Sequence, residues 1–431
     1  MTTEIVYIGE NKLRQDTGKV QAPRVQKIKD QIYVLQYFGA SNVTLLVGKE
    51  SCILIDAFES DWYAEQAKAE IAKITDKPIK TLIYTHQHAD HIGGAAVFAD
   101  TLEQIIAHTS KSSMLKRQEL FADNTKQRIM HQFGTKLSLE ESISMGLNPA
   151  LEAKGICKPL QPTRMVNEDS ELLLLDGWKL QLLFAPGETD DQQYVWLPED
   201  GVVCCGDNYY AAWPNLSALR GGSYRDVHQW ILSLEILLSC KSVCLIPGHG
   251  EVLEGQENIK TVIQSYHDAI DWVLEQTLQG INEGLCPDEL VEKVQLPKQW
   301  ARLPYLQEYY GTVAWSVRGI YAGYVGWFDG NPTHIGALPV AQKAKRYMQL
   351  FGGAEQVCAE IQLTLDKKEV QEMQWVLELC DILINAGECL DMARKWKAEA
   401  CVFLGRMQTS ANGRHYYLSN ARALQNDITI I

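Results

Sequence analysis

The order of apolar and polar positions divides the first part of the chain into short strands and one helix. Residues 31–58 are rich in β-branched and aromatic side chains and are interrupted by short runs of small and polar residues, which is typical of successive strands. Residues 61–74 carry apolar side chains at helical spacing. Residues 79–84 then form a short, mostly apolar stretch, which predicts a buried strand. The pattern therefore predicts a strand–helix–strand unit.

The next part of the chain combines a polar insertion with a second group of strands. Residues 110–165 are mostly polar, and we expect them to form a largely helical insertion. Two apolar stretches within residues 171–186 flank an Asp-Gly pair, which is a signal for a β-hairpin. Further strands are predicted near residues 193–197, 201–206 and 242–246. These strands predict a second β-rich half.

The pattern changes near residue 255, beyond which long segments show helical periodicity without strand alternation. Residues 259–280, 287–294 and 368–386 are the clearest of these segments. We therefore predict an α+β chain with two domains, residues 1–255 with mixed structure and residues 256–431 with helices. The length of 431 residues agrees with this division, because a single hydrophobic core rarely supports so long a chain.

Composition and charge restrict the classes of partner. The chain is 46% apolar and 22% charged, as in ordinary globular proteins, and its formal net charge is −14. Such an acidic chain disfavours binding to the phosphate backbone of nucleic acids. Its first residues do not resemble a secretory signal, no apolar run is long enough to cross a bilayer, and its eleven scattered cysteines suit reduced, buried thiols. We therefore predict a soluble cytoplasmic protein with no membrane span and no nucleic-acid partner.

Three histidines and an aspartate fall within six residues directly after the strand at 79–84. They are His86, His88, Asp90 and His91, and two glycines follow them. A lone histidine on a strand is usually a core residue, but imidazoles and a carboxylate at this density are typical of a metal site. We expect the two glycines to let the backbone turn sharply, so that the ligands reach two metal ions.

Two closely spaced divalent ions need about seven protein ligands, so others must come from elsewhere in the chain. Glu188, Asp207 and His249 share one context, in which an apolar strand is followed by a glycine and then by the candidate ligand. Each alone is more often a cap or a solvated loop residue, but the shared context favours one common site. Metal ions of this kind lower the pKa of bound water to about 7 and so supply hydroxide at neutral pH. The residues therefore predict a metal-dependent hydrolase.

These motifs together resemble the metallo-β-lactamase superfamily. The HxHxDH segment, the Pro-Gly-Glu turn, the Gly-Asp pair and the Pro-Gly-His-Gly turn occur in the order of that superfamily. Glu188 replaces the histidine that is usual there and is similar to the alkyl sulfatase branch, in which the ligand can lie a few residues further on, so Asp191 is its rival. The segments NLSALRG, EYYGTV, GWFDGNP and HYYLSNA also resemble alkyl sulfatase motifs in the same order.

The resemblance implies an αββα metallo-β-lactamase sandwich followed by an all-α dimerisation domain, and therefore a homodimer. It also implies a set of ligands for two metal ions. One ion would be held by His86, His88 and either Glu188 or Asp191, the other by Asp90, His91 and His249, with Asp207 bridging them. Asp207 stands where the sulfatase branch tends to have glutamate. Zinc is the favoured metal, although a carboxylate in place of the usual histidine hardens one site and makes manganese or iron conceivable.

The resemblance further implies that a metal-bound hydroxide cleaves an alkyl sulfate ester to an alcohol and sulfate. A small anionic ester of this kind suits the planar guanidinium of an arginine beside an amide donor, and Arg220 and Asn215 are such a pair. The alternative for Arg220 is an ion pair at the surface. Tyr310 lies in the aromatic-rich stretch 300–328, most of which we expect to be helical core, and its hydroxyl is the one we expect to meet the sulfate. Asp90, Arg220 and Tyr310 are the predicted catalytic residues.

Two other interpretations stay open. The same hydroxide could hydrolyse another ester, a thioester, a lactone or a phosphodiester, because the fold alone does not select the substrate. A non-catalytic protein that uses its helical part for assembly is the second alternative, against which the full set of candidate ligands argues.

Overall fold

Two β-sheets and the helices around them make up the amino-terminal part of the chain. The structure is a computed structural model that describes residues 6–17, 21–109, 120–147 and 152–425. The first sheet has seven strands that follow one another in chain order: β1 (Arg24–Lys29), β2 (Ile32–Gln36), β3 (Val43–Val47), β4 (Cys52–Ile55), β5 (Ile79–Ile83), β6 (Gln104–His108) and β7 (Arg164–Val166). Strands β1 to β4 pair antiparallel, whereas β4 to β7 pair parallel. The helices of this part are α1 (Ile8–Thr17), α2 (Asp61–Ile74), α3 (Ala89–Ile92) and α4 (Ala122–Phe133).

The second sheet has six strands, which also lie side by side in chain order. They are β8 (Ser170–Leu175), β9 (Trp178–Phe184), β10 (Gln193–Leu197), β11 (Val202–Cys204), β12 (Cys244–Ile246) and β13 (Leu253–Glu254), and α5 (Val227–Ser239) precedes β12. All of its pairs are antiparallel except β11 with β12. The parallel pair needs a crossover, which α5 supplies.

Buried side chains on the two sheets pack between the sheets and on the outer face of each sheet, which shows how the sheets are layered. Ile32 and Val34 of β2 pack in a core shared with Leu180 and Leu182 of the second sheet. The alternate residue Leu35 points the other way, into a core that contains one face of α2. The outer face of the second sheet is covered by α5 and by the helix that follows β13. The layers are therefore helix, sheet, sheet and helix, as predicted.

Helices make up the described remainder of the chain. They are α6 (Gln256–Asn282), α7 (Pro287–Lys293), α8 (Lys298–Ala301), α9 (Val313–Tyr324), α10 (Pro332–Ile335), α11 (Val340–Leu350), α12 (Ala354–Leu365), α13 (Val370–Ala386), α14 (Leu390–Met407) and α15 (Ala411–Gln425). Helices α6, α7 and α9 share the outer core of the second sheet, whereas α11 to α15 build a separate apolar core. Helix α15 also packs against α4. The change from strands to helices at residue 255 is as expected, and the domain boundary itself stays a prediction.

The described part of the insertion at 110–165 is less helical than we expected. Within its described part the long helix is α4, and residues 134–147 and 152–163 follow an irregular path. Residues 110–119 and 148–151 lie outside the described residues. The predicted hairpin is present, and its turn residues Asp176 and Gly177 have φ of 47° and 93°, which the Asp-Gly pair tolerates.

Two further predictions concern the membrane and the cysteines. Within the described ranges, no helix combines the length and the apolar character that crossing a bilayer would require. All eleven cysteines are unpaired, and Cys157 and Cys389 are exposed rather than buried. The cytoplasmic location and the lack of a nucleic-acid partner stay predictions.

Candidate metal centre

The side chains that the sequence marked as ligands lie just beyond the carboxyl ends of strands from both sheets. They are His86, His88, Asp90 and His91 after β5, Glu188 after β9, Asp207 after β11 and His249 after β12. Open sheets of this kind commonly place their chemistry at this end of their strands. The fold thus brings residues from four distant segments to one place.

Glycines beside these ligands are needed for close approach rather than for an unusual backbone. Gly93 and Gly94 form the expected turn, with φ of −66° and −91°, which residues other than glycine can also adopt. A Cβ on either would lie 2.2 Å from a backbone oxygen of the segment after β4. A Cβ on Gly248 would lie 2.1 Å from Oδ1 of Asp207. These glycines therefore let the ligand loops pack directly against one another.

The nitrogen and oxygen atoms of the candidate ligands form two groups that share Asp207. Within each group, Asp90, His91, Asp207 and His249 or His86, His88 and Asp207, the atoms lie within 4.8 Å of one another. Oδ1 of Asp207 is 3.3 Å from Nε2 of His91, and Oδ2 is 3.0 Å from Nε2 of His249 and 3.8 Å from Nε2 of His86. Asp207 therefore stands between the two groups, where a bridging carboxylate would be needed.

Asp56 orients two of the imidazoles through hydrogen bonds. Nδ1 of His91 lies 2.8 Å from Oδ2 of Asp56, and a carboxylate only accepts, so Nδ1 donates and Nε2 keeps its lone pair. Thr85 donates its hydroxyl to the same carboxylate at 2.8 Å, and its oxygen then accepts from Nδ1 of His86 at 3.1 Å. Both rings consequently direct Nε2 into the centre, and hydrogen-bond partners of this kind orient the histidines that bind metal ions in other proteins.

Charge at the centre favours a cation. Nδ1 of His249 donates to the backbone oxygen of Ala40 at 2.6 Å, which again leaves Nε2 for the centre. Burial lowers the pKa of His249, but the carboxylates of Asp207 and Asp90 outweigh burial and raise it to about 10. Oδ1 of Asp207 and Nε2 of His91 are buried and have no hydrogen-bond partner among the described residues. Such a set of buried nitrogen and oxygen donors fits a divalent metal ion.

Glu188 and Asp191 occupy different surroundings. Oε1 of Glu188 lies 3.6 Å from Nδ1 of His88, and Oε2 accepts from Nη1 of Arg225 at 2.5 Å. Burial raises the pKa of Glu188 to about 7, although Arg225 acts in the opposite direction. Asp191 instead accepts from the amide of Gln87 at 3.3 Å. Of these two carboxylates, Glu188 is therefore the one that lies beside an imidazole of the centre.

The three predicted substrate residues lie around the same centre. Nη2 of Arg220 is 3.1 Å from Nε2 of His88, and within the described residues Arg220 has no ion pair, so the surface alternative does not describe it. Both polar side-chain atoms of Asn215 are buried without a hydrogen-bond partner in the described part of the chain. Burial raises the pKa of Tyr310, and its hydroxyl is close enough to feel the charges of Glu188 and Arg220.

Comparison with known proteins identifies the family. The model for the metallo-beta-lactamase superfamily matches residues 37–249, and the model for alkyl sulfatase dimerisation matches residues 286–427. A linear primary-alkylsulfatase from Pseudomonas sp. is 35% identical over 399 residues, which are 89% of this chain and 74% of that protein. The chain belongs to the alkyl sulfatase family. The predicted family membership is confirmed.

Other relatives of this alkyl sulfatase family member agree with the assignment. An alkyl/aryl-sulfatase from Saccharomyces cerevisiae is 28% identical over 416 residues, or 93% of the chain, and the chain spans 64% of its length. The solved structure of a stereoselective inverting sec-alkylsulfatase from Pseudomonas sp. has a TM-score of 0.87 at 23% identity and covers 97% of this chain and 71% of its own. At that identity the likeness shows the fold alone, and it extends over both the sandwich and the helices.

Sequence reasoning missed Asp56 and Arg225 in this alkyl sulfatase family member. Asp56 follows β4 directly and has φ of 64°, a backbone conformation that its position in the sequence does not reveal. Arg225 lies in a polar stretch before α5 and looks like an ordinary surface residue, yet it is buried against Glu188. The available signal was weak, a single carboxylate after an apolar strand and a single arginine before a helix.

Proposed function

We propose that the chain hydrolyses a sulfate ester of an alcohol at this centre. The observation that carries the proposal is the position of Asp207 between the two groups of a buried donor set. Its carboxylate lies 3.8 Å from Nε2 of His86 in one group, and 3.3 and 3.0 Å from Nε2 of His91 and His249 in the other. Family membership supports the same reaction, since the linear primary-alkylsulfatase is 35% identical to this chain. A small anionic ester is therefore the proposed substrate.

Two divalent ions are the proposed cofactors, with zinc favoured and manganese or iron as alternatives. His86, His88 and Glu188 would hold one ion, Asp90, His91 and His249 the other, and Asp207 would join both. Such ions polarise ester oxygens and lower the pKa of water to about 7. Glu188 is preferred to Asp191 because it lies beside His88, and Arg225 fixes its second oxygen.

Arg220 and Asn215 are proposed to bind the sulfate group. An imidazole that binds a metal through Nδ1 carries its proton on Nε2 and cannot accept from arginine. Nη2 of Arg220 would then keep its donors for an anion, while Nη1 donates to the backbone oxygen of Gly221 at 3.2 Å. Asn215 adds an amide with no other partner among the described residues. Tyr310 keeps its proton because burial raises its pKa, and the hydroxyl can donate to an ester oxygen.

The test compares substrates on one metal-loaded preparation. We expect the protein to hydrolyse an alkyl sulfate much faster than a phosphodiester or a thioester, and elemental analysis to find about two ions per chain. The variant His88→Ala should lose metal and activity together. Faster turnover of the phosphodiester or thioester, or full activity of His88→Ala, would show that the proposed reaction or the proposed ligand set is wrong.

A homodimer is proposed as the assembled form. The helical part that matches the dimerisation model exposes large apolar side chains, including Trp327 at 80% and Leu350 at 79%. Apolar side chains that form one exposed patch are typical of protein contacts, and the match to the dimerisation model supports such a patch in this part of the chain. The proposed occupant of this surface is a second copy of the chain, which the family model supports.

A further inference from the structure

The backbone that carries Arg220 lies in a segment without regular secondary structure, so something outside it must fix its position. Gly221 follows directly, with φ of 82°, and this residue adds freedom rather than stiffness. The guanidinium of Arg128 on α4 supplies one restraint. Its Nε donates to the carbonyl oxygen of Arg220 at 2.9 Å, and its Nη2 donates to that of Leu219 at 2.5 Å. The planar fork thus binds two successive carbonyl groups.

Gln132 supplies a second restraint from the same helix. Its Oε1 accepts the backbone N–H of Arg220 at 2.8 Å, and its side chain is fully buried. Nε2 of Gln132 has no hydrogen-bond partner in the described ranges, so within them this side chain makes its hydrogen bond to Arg220. The two restraints come from residues one helical turn apart, which places both on one face of α4.

Helix α4 is itself bound to the carboxy-terminal helix α15. The carbonyl oxygen of Gln132, which lies in the last turn of α4 and has no partner within the helix, accepts from Nδ1 of His415 at 3.3 Å. Nε2 of His415 accepts the N–H of Ile143 at 3.2 Å. A Cβ on Gly134, the residue that ends α4, would lie 2.9 Å from the His415 ring. The helix end is therefore closely fitted to this histidine.

We propose that Gln132 is a positioning residue for Arg220. Gln132 holds the guanidinium of Arg220 beside the metal centre, and His415 of the helical part in turn holds Gln132. This rests on the proposed function, in which Arg220 binds the sulfate group. In the described part of the chain, the hydrogen bonds of Gln132 outside α4 go to Arg220 and His415 and not to the proposed ligands. Its effect on an anion must therefore pass through Arg220, and this requirement makes the proposal testable.

The test is a double-mutant cycle read by calorimetric titration of the metal-loaded protein with inorganic sulfate. Gln132→Met keeps the length and burial of the side chain and removes the accepting oxygen. Loss of one such hydrogen bond should weaken sulfate binding about three- to tenfold when Arg220 is present. In an Arg220→Ala background the same change should alter sulfate binding by less than about twofold, because the two residues act through one contact. Metal content should be unchanged in all four proteins.

A matched control separates positioning from general loss of stability. Thr277 is a fully buried residue of α6 whose hydroxyl donates to the Val273 carbonyl oxygen at 2.6 Å, and no hydrogen bond among the described residues joins its side chain to the site. Thr277→Val should lower the melting temperature without altering sulfate affinity in either background. His415→Phe, which removes the link to α15 and leaves Gln132 in place, should weaken sulfate binding in the same direction as Gln132→Met.

The outcomes distinguish this proposal from the proposed function. Equal weakening by Gln132→Met with and without Arg220, or no weakening at all, overturns the positioning role. Unchanged sulfate affinity in His415→Phe overturns the part assigned to α15. Failure of the unmodified protein to hydrolyse alkyl sulfates overturns the proposed function instead, because the cycle uses binding of sulfate and not turnover. Failure of the unmodified protein to bind sulfate would overturn the positioning proposal.

Discussion

Replacement of Asp56 by asparagine is the sharpest test of the proposed metal centre. The two oxygens of Asp56 accept three hydrogen bonds, from the N–H and hydroxyl of Thr85 and from Nδ1 of His91, each at 2.8 Å. Asparagine keeps a single carbonyl oxygen, so its NH₂ group must face at least one of these donors. His91 then loses the charge-assisted bond that directs its Nε2 into the centre.

The expected loss follows from that bond. A hydrogen bond to a charged group contributes about 1.5–3 kcal/mol, which corresponds to about 10- to 150-fold in an equilibrium constant. Removal of the partner of a metal-binding histidine typically weakens metal binding about 10- to 100-fold, which agrees with this figure. We therefore expect Asp56→Asn to bind zinc about 10- to 100-fold more weakly and to need correspondingly more zinc for alkyl sulfate hydrolysis.

The assay is a competition titration between the protein and a chromophoric zinc chelator. Asp176→Asn is the matched control, since Asp176 also accepts two backbone N–H groups and a hydroxyl, from Glu50 and Ser51, at the opposite end of the strands. The control should lose thermal stability and keep its zinc affinity. Zinc affinity that is unchanged in Asp56→Asn, or that falls equally in the control, would refute the claim that Asp56 orients His91.

Three further predictions concern the anion site, an ion cluster and the assembly surface. Arg220→Lys keeps the charge and loses the fork, so we expect the rate constant for alkyl sulfates to fall about ten- to a hundredfold with metal content unchanged, and an unchanged rate would contradict sulfate binding by Arg220. Burial raises the pKa of Glu10, but hydrogen bonds and charges from arginines outweigh it and lower the pKa from 4.5 to about 2. Because the pKa of Glu10 is lower in the folded than in the unfolded chain, this stabilisation is present above pH 4.5 and disappears as the pH falls toward 2. We therefore expect Glu10→Gln to lower the melting temperature at pH 7 and to lower it much less at pH 3. An equal decrease at both pH values would contradict this role of Glu10. Leu350→Glu should yield monomers in light scattering at micromolar concentration, whereas Leu174→Glu, at a residue of similar exposure in β8, should not, and an unmodified protein that is monomeric would contradict the dimer.

The fold could be predicted where the pattern of the chain is local and repeated. The bounds of α2, Asp61–Ile74, match the predicted helix, and the strands around it were recognised from their apolar runs. Strand β6 was not predicted, because periodicity alone cannot distinguish a buried strand of five residues from a segment of buried helix. Helix α1 was not predicted for a different reason. It is a mainly polar segment that is stabilised by ion pairs of Glu10 with Arg406 and Arg414, which are far away in the sequence.

The same distinction between local and distant information explains what the sequence revealed of the site. His86 to His91 are visible because their density within six residues has no ordinary structural explanation. The residues that orient these ligands are not visible in the sequence, because an orienting carboxylate differs from any other buried or capping carboxylate only in its hydrogen-bond partner. For Asp56 that partner is Nδ1 of His91, 2.8 Å away in space and 35 positions further along the chain. Arg225 and Glu188 are separated by 37 positions in the same way. The residue types of the centre can therefore be predicted from short motifs, whereas its geometry depends on pairs of residues that only the folded chain brings together.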